Sequence, residues 1–187
     1  MIKRLFDILF SILAMLFCGW IIVFSLVVAA IATKSNGLFF QKRIGRYGVT
    51  FTIIKIRTLV IDADDAIKIY KIGLFLSKTK INELPQLVNI LLGDISFVGP
   101  RPDVAGYYNN LKGEERLILK LKPGLTSEAS LKYFDEEALL QQQENPQEYN
   151  DTVIFPDKVK LNLQYYYHYS LLGDLKIIHK TLLRYIP

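Results

Sequence analysis

The sequence predicts an α+β chain, mainly helical, in which an N-terminal membrane-embedded helix precedes a short β-hairpin and a series of further helices. Three observations carry that reading. Residues 8–33 contain no charge, no proline and no side-chain amide. β-Branched and aromatic residues then flank a Gly45 to Gly48 turn. Most segments after Asp62 space their apolar residues three and four apart.

As a helix, residues 8–33 extend roughly 39 Å, more than the ~30 Å hydrocarbon core of a bilayer. A buried core helix is the bland alternative, but uncharged apolar runs this long are rare in soluble domains. A cleaved signal peptide fits less well, since the run exceeds the usual apolar region and Ala29, Ala30 and Ala32 do not form a small-residue cleavage pattern. The net charge of +5 is concentrated around this run: Lys3, Arg4, Lys34, Lys42, Arg43 and Arg46 stand against Asp7, and the rest of the chain is neutral. Such placement suits an anionic membrane surface and offers no basic stripe for nucleic acid. Because both flanks are positive, Met1 and Lys34 are expected on the same cytoplasmic side, which makes the helix re-entrant. Gly19 and Ser25 are the candidates for the break, and the missing proline favours a spanning helix instead.

Leu38 to Ile56 reads as the hairpin. Helical rhythm follows from Asp62 through Lys78, in residues 82–93, in Gly113 to Leu121, in residues 135–143, and from Asp157 to Ile186 with Pro156 at its start. The division expected is residues 1–35 as membrane segment and 36–187 as cytoplasmic domain. Tyr165, Tyr166, Tyr167 and Tyr169 suit either a membrane interface or a core. The single Cys18 excludes a disulfide framework, and two histidines exclude a histidine-rich metal centre.

Chemistry concentrates in residues 82–103, NELPQLVNILLGDISFVGPRPD. Leu84, Leu87, Ile90 and Leu91 make a short amphipathic helix. Pro100 and Pro102 fix the backbone around Arg101, which presents a guanidinium for bidentate phosphate contact; a surface turn is the plainer reading.

These residues resemble a family. Lys3 to Asp7 (KRLFD) with its apolar run, QKRIGRYG, Lys55 to Thr58 (KIRT), the 82–103 block, Lys122 to Ser130 (KPGLTSEAS) and the closing YSLLGDLKIIHKTL are similar, in order and along nearly the whole chain, to the bacterial sugar transferases known as small monotopic phosphoglycosyl transferases. That resemblance implies transfer of a phosphosugar from a UDP-sugar to polyprenyl (undecaprenyl) phosphate, with Mg²⁺, at the cytoplasmic face of the bacterial inner membrane, initiating glycan assembly. It implies a re-entrant helix. By position, Asn82 and Glu83 are the catalytic pair, Glu83 and Asp94 the metal-binding acids, and Lys55, Arg57, Pro100, Arg101 and Pro102 the substrate-binding residues. For Lys55 and Arg57, two apart on a strand, an exposed face is the plain alternative. Asp62, Asp64 and Asp65 are a reserve acidic cluster, or a solvated helix start.

Two departures stand out. The family's nucleophile is an Asp that forms an acyl-phosphate, and this chain has the neutral Asn82 there; Glu83 is the neighbouring carboxylate, set about 100° around a helix and one methylene longer. Ser25-Leu26 stands where the family commonly has Ser-Pro. Two alternatives follow: a silent relative that binds without turnover, and, from another class, a membrane-anchored interaction protein.

Overall fold

Residues 2–33 form one helix whose burial is inverted. In the computed structural model, which describes residues 2–61 and 67–184, α1 (Ile2–Thr33) buries Asp7, Ser11, Ser25 and Ala29, while Leu16, Phe17, Trp20 and Phe24 are 67–77% exposed. Polar and small side chains face protein and large apolar ones face outward, as a lipid-facing helix requires. Neither Gly19 nor Ser25 interrupts its helical assignment.

The hairpin follows as β1 (Leu38–Ile44) and β2 (Thr50–Ile56). Next come β3 (Leu59–Ile61) and β4 (Ile67–Ile69), an antiparallel pair in which Leu59 faces Ile69. Residues 67–69 therefore depart from the helix expected from Asp62 onward: the alternation Ile-Lys-Ile suits a strand once Leu59–Ile61 is available as partner. The Asp62, Asp64 and Asp65 cluster lies outside the described residues. After α2 (Lys71–Lys78), a 3₁₀ turn at Ile81–Glu83 leads into α3 (Gln86–Leu92).

Two compact units result, one of residues 1–42 and 51–93, the other of residues 43–50 and 94–187. These packing units cut the chain elsewhere than the expected division between residues 35 and 36. In the first, Ala29 of α1, Ile56 of β2 and Leu76 of α2 form a core with Ile81 packed on it.

In the second unit, β5 (Ser96–Val98) and β6 (Gly124–Thr126) pair in parallel, Ser96 opposite Gly124. A 3₁₀ helix at Gly113–Lys120 stands where an α-helix was expected. Then come α4 (Glu128–Lys132), α5 (Glu136–Gln141), α6 (Pro146–Tyr149), a π turn, and α7 (Phe155–His168) with Pro156 in its first turn. The expected continuous C-terminal helix breaks after His168, and α8 (Leu171–Arg184) starts anew. Ser170 restarts it: its Oγ accepts from Gly173 N at 3.1 Å. Ile44, Tyr108, Leu111, Ile118, Leu119 and Val159 form the core, with Asn162 Nδ2 donating to the Tyr108 hydroxyl at 2.9 Å.

One polar cluster ties α4 to α7. Lys132 Nζ and the Tyr133 hydroxyl both donate to Asp157 Oδ2, at 2.6 and 2.8 Å. The Lys132 hydrogen bond, joined by that of Tyr133, holds the Asp157 carboxyl below its ordinary range. Burial, with the Asp157 contact, pushes the Tyr133 hydroxyl up to about 12.

Candidate active site

In the first unit the decisive element is a short turn. Lys80 holds φ 57° and ψ 13°, left-handed backbone that a residue with a β-carbon adopts at a cost. The reversal there is closed by Glu83 N donating to Lys80 O at 2.9 Å. It leaves Asn82 and Glu83 buried, 8% and 7% exposed. Pro85 then sets the first turn of α3.

A buried carboxylate needs a partner, and β2 supplies one: Lys55 Nζ donates to Glu83 Oε1 at 3.1 Å. Asn82 Oδ1 is buried and has no hydrogen-bond partner, as does Gln86 Nε2 one turn on. A neutral buried amide oxygen left without a donor is costly unless something else occupies its lone pairs.

Two residues hold this arrangement, and the sequence reading assigned neither to the site. Asn89, 1% exposed, donates from Nδ2 to Thr52 O at 2.8 Å and accepts at Oδ1 from Ile54 N at 3.1 Å. It satisfies the outer edge of β2 and so fixes the strand carrying Lys55 against the helix that follows Glu83. Its signal was present in the sequence, as an amide within the apolar face of Leu87 and Ile90. Arg4, read as a flanking charge, donates to Ile90 O and, at 2.6 Å, to Leu91 O, capping the last turn of α3.

Arg57 does not join Lys55 at the carboxylate. Its Nε donates to Leu38 O at 3.3 Å and its backbone N to Gly37 O at 2.7 Å, which ties the end of β2 to the start of β1.

The second unit builds the proline-flanked arginine on the β5–β6 pair. Gly99 N donates to Thr126 O at 3.0 Å, and Gly124 N to Pro100 O at 2.9 Å. The two glycines are in such close approach that a β-carbon on Gly99 would meet Lys122 O at 2.3 Å, and one on Gly124 would meet Gly99 N at 2.1 Å. Pro100 and Pro102 are buried and Arg101 is exposed. Arg101 borders a small recess also lined by Ile44, Gly45, Pro100, Pro102 and Tyr108. Nearby, Arg43 Nη1 lies 3.7 Å from Asp103 Oδ1. Asp94 is half-buried at the start of this unit. Thus Lys55, Arg57, Asn82 and Glu83 belong to the first unit, and Asp94, Pro100, Arg101 and Pro102 to the second. Among the described residues, no group of three or more His, Cys, Asp or Glu side chains is placed to hold a metal.

Comparison with known proteins agrees with this assembly of motifs. Residues 1–187 match the family described as Bacterial sugar transferase. The chain is 33% identical over 200 residues to the galactosyl transferase CpsE of Streptococcus agalactiae, covering 96% of this chain and 41% of that protein. It is 30% identical over 187 residues to the uncharacterized sugar transferase EpsL of Bacillus subtilis, covering 96% and 85%. It is 32% identical over 197 residues to the UDP-glucose:undecaprenyl-phosphate glucose-1-phosphate transferase of Klebsiella pneumoniae, covering 97% and 39%. The chain thus spans about two fifths of the first and third of these relatives.

Proposed function

The chain belongs to the bacterial sugar transferase family, and from that premise we propose that it transfers a sugar 1-phosphate from a UDP-sugar to polyprenyl phosphate at the cytoplasmic face of the bacterial inner membrane. It is a transferase, which sets aside the reading as an anchored interaction protein. One observation carries the reading: within the motif block, a buried carboxylate at Glu83 is held by Lys55 beside the unpartnered oxygen of Asn82.

With an amide at position 82, Glu83 is assigned the attack. A carboxylate oxygen of Glu83 attacks the β-phosphorus of the donor, the bond from that phosphorus to the bridging oxygen breaks, and UMP leaves with the electron pair. An oxygen of polyprenyl phosphate then attacks the same phosphorus, the acyl–phosphate bond breaks, and Glu83 is returned as a carboxylate. Lys55 orients Glu83 and supplies the opposite charge that a buried carboxylate needs. Arg101 in the second unit is assigned a phosphate contact.

The oxygen donors of Asn82 and Glu83 fit Mg²⁺, a hard cation that takes one or two protein oxygens and leaves positions for phosphate and water. Asn82 Oδ1, buried and unpartnered, is the atom that most needs such a neighbour. When bound, the ion screens the charge of the diphosphate. Asp94 belongs to the other unit and is retained as a further acidic candidate.

Re-entrance of α1 is part of the proposal. Its buried residues, Asp7 with Ser11 and Ser25 with Ala29, lie toward its two ends and none lies between. Arg4 binds α3, and Ala29 joins the core of Ile56 and Leu76. In the structure α1 runs unbroken from Ile2 to Thr33, so re-entrance rests on the positive charge at both of its flanks and not on a bend in the helix.

The test is UMP release across a panel of UDP-sugars with polyprenyl phosphate, Mg²⁺ and the protein in nanodiscs. At least one sugar is expected to give UMP release beyond one equivalent of protein that requires the acceptor and that Glu83→Gln abolishes. Binding of a UDP-sugar without UMP release would replace this reading with that of a silent relative.

A further inference from the structure

Three side-chain amides lie in α3 or in the turn that leads into it, and the protein treats them differently. Asn89 gives both of its polar atoms to β2. Asn82 and Gln86, 8% and 2% exposed, each leave a buried polar atom without a hydrogen-bond partner. In Asn82 that atom is the acceptor Oδ1, which suits a cation; in Gln86 it is the donor Nε2, which does not. Gln86 needs an acceptor of its own.

Packing alone does not call for a glutamine here. Leu87 and Ile90, on the same short helix, are aliphatic and 3% and 0% exposed. A methionine or leucine at position 86 would fill comparable space without taking an N–H out of water. Backbone geometry says what the amide stands beside. Glu83 N donates to Lys80 O, Leu84 N to Ile81 O, Leu87 N to Leu84 O and Val88 N to Pro85 O, at 2.9, 3.1, 3.0 and 3.0 Å. Such bonds, each spanning three residues, wind the chain at about three residues per turn, so that side chains three apart lie over one another. Glu83 and Gln86 are such a pair, and the amide stands on the face of the turn that carries the carboxylate.

The Glu83 carboxylate is matched by Lys55 at 3.1 Å. A second cation on its face would neutralise it further, whereas an amide N–H adds no charge and still offers a hydrogen bond to an anionic oxygen. The β-phosphoryl group of a UDP-sugar brings such oxygens: once its phosphorus is bonded to a Glu83 oxygen, the non-bridging oxygens lie one bond further out. Because Gln86 Nε2 is already desolvated and fixed in a buried turn, its dipole needs no reorganisation when that charge arrives.

Resting on the transferase reading, we propose that Gln86 Nε2 donates to a non-bridging oxygen of the β-phosphate of the UDP-sugar and keeps that hydrogen bond while the phosphosugar is carried on Glu83. No covalent bond to Gln86 forms or breaks. Its part is to bind and orient the phosphoryl group that moves.

The experiment compares UDP with UMP, which differ by the β-phosphate, as ligands of the full chain in nanodiscs with Mg²⁺, by calorimetric titration of the parent, Gln86→Met and Gln86→Leu. The parent is expected to bind UDP more tightly than UMP. Both variants should lose roughly tenfold or more of their UDP affinity, the scale of a hydrogen bond to a charged group, and keep UMP affinity within about twofold. Without nucleotide they should melt at or above the parent's temperature, since an unpartnered buried donor has been removed. Equal weakening of UDP and UMP, an unchanged UDP affinity, or a parent that does not favour UDP overturns the proposal. So does a drop of several degrees or failure to fold in both variants, which gives Gln86 a partner within the protein. A parent that binds UDP but releases no UMP from any UDP-sugar fails the transferase reading alone, and the UDP-to-UMP ratio still decides the role of Gln86. A parent that binds neither nucleotide overturns both.

Discussion

Replacing Asn89 tests how the site is held together. Asn89 is 1% exposed, and its amide satisfies two backbone groups of β2, Thr52 O at 2.8 Å and Ile54 N at 3.1 Å. In Asn89→Ala both are left beneath α3 without that partner, each costing about 1–3 kcal/mol, and the two share one side chain, so a total of about 2–4 kcal/mol is expected. For a chain of this size, about 2–4 °C per kcal/mol converts that to a drop of roughly 5–15 °C in the transition of the first unit. Asn89→Asp keeps the acceptor but sets a carboxylate against Thr52 O, so it should fare no better than alanine. Thermal unfolding in nanodiscs, followed by tryptophan fluorescence of Trp20 and by circular dichroism, makes the measurement. UMP release below the transition should fall as well, because Asn89 aligns the strand of Lys55 with the turn of Glu83. A melting temperature within about 1 °C of the parent would refute the clamp and with it this account of how the pair is positioned.

Three further outcomes follow from the same geometry. Lys55→Met should destabilise by about 2–3 kcal/mol because it strands the Glu83 carboxylate, whereas Lys55→Met with Glu83→Gln should recover much of the loss; additive losses in a denaturant double-mutant cycle would mean the pair is not coupled. Arg101→Ala should weaken UDP-sugar binding by roughly 10- to 150-fold, about 1.5–3 kcal/mol, with an unchanged melting temperature, and a parallel loss of stability would make Arg101 a turn residue only. The Asp157 carboxyl, depressed by Lys132, contributes stability that is complete above its unfolded value near ~3.9 and is lost as pH falls through the lower folded value. Asp157→Asn should therefore flatten the acid limb of a stability-against-pH curve while leaving its shape near neutrality unchanged.

What the sequence made legible was what depends on local pattern. The uncharged run became α1, the residues around the Gly45 to Gly48 turn became β1 and β2, and Pro156 opened α7. Partners distant in sequence decided the rest. Ile67–Ile69 became a strand through Leu59–Ile61, and Ser96–Val98 became one through Gly124–Thr126, a parallel partner that short apolar runs do not reveal. The C-terminal helix divided because Ser170 caps a fresh start, a signal carried by Ser170 with Gly173 three residues on. At the site, Glu83 and Lys55 were legible as motif residues. Their ion pair was not, because it depends on the left-handed Lys80 and on Asn89 reaching the edge of β2. Asn82 was legible as a departure, and its unpartnered buried oxygen became apparent only with the surroundings in place.

The central claim is that this chain moves a sugar phosphate through a carboxylate in the Ile81–Glu83 turn. The most direct measurement is a single-turnover reaction with UDP-sugar and Mg²⁺ and without polyprenyl phosphate, quantifying UMP and locating any added mass on the peptide that contains residues 82 and 83. The account predicts a UMP burst stoichiometric with protein and a phosphosugar adduct on Glu83. The adduct should be absent in Glu83→Gln, be discharged by polyprenyl phosphate, and move to residue 82 in Asn82→Asp, where a nearly isosteric carboxylate is restored. Binding of the UDP-sugar with neither burst nor adduct in the Asn82 protein would contradict it.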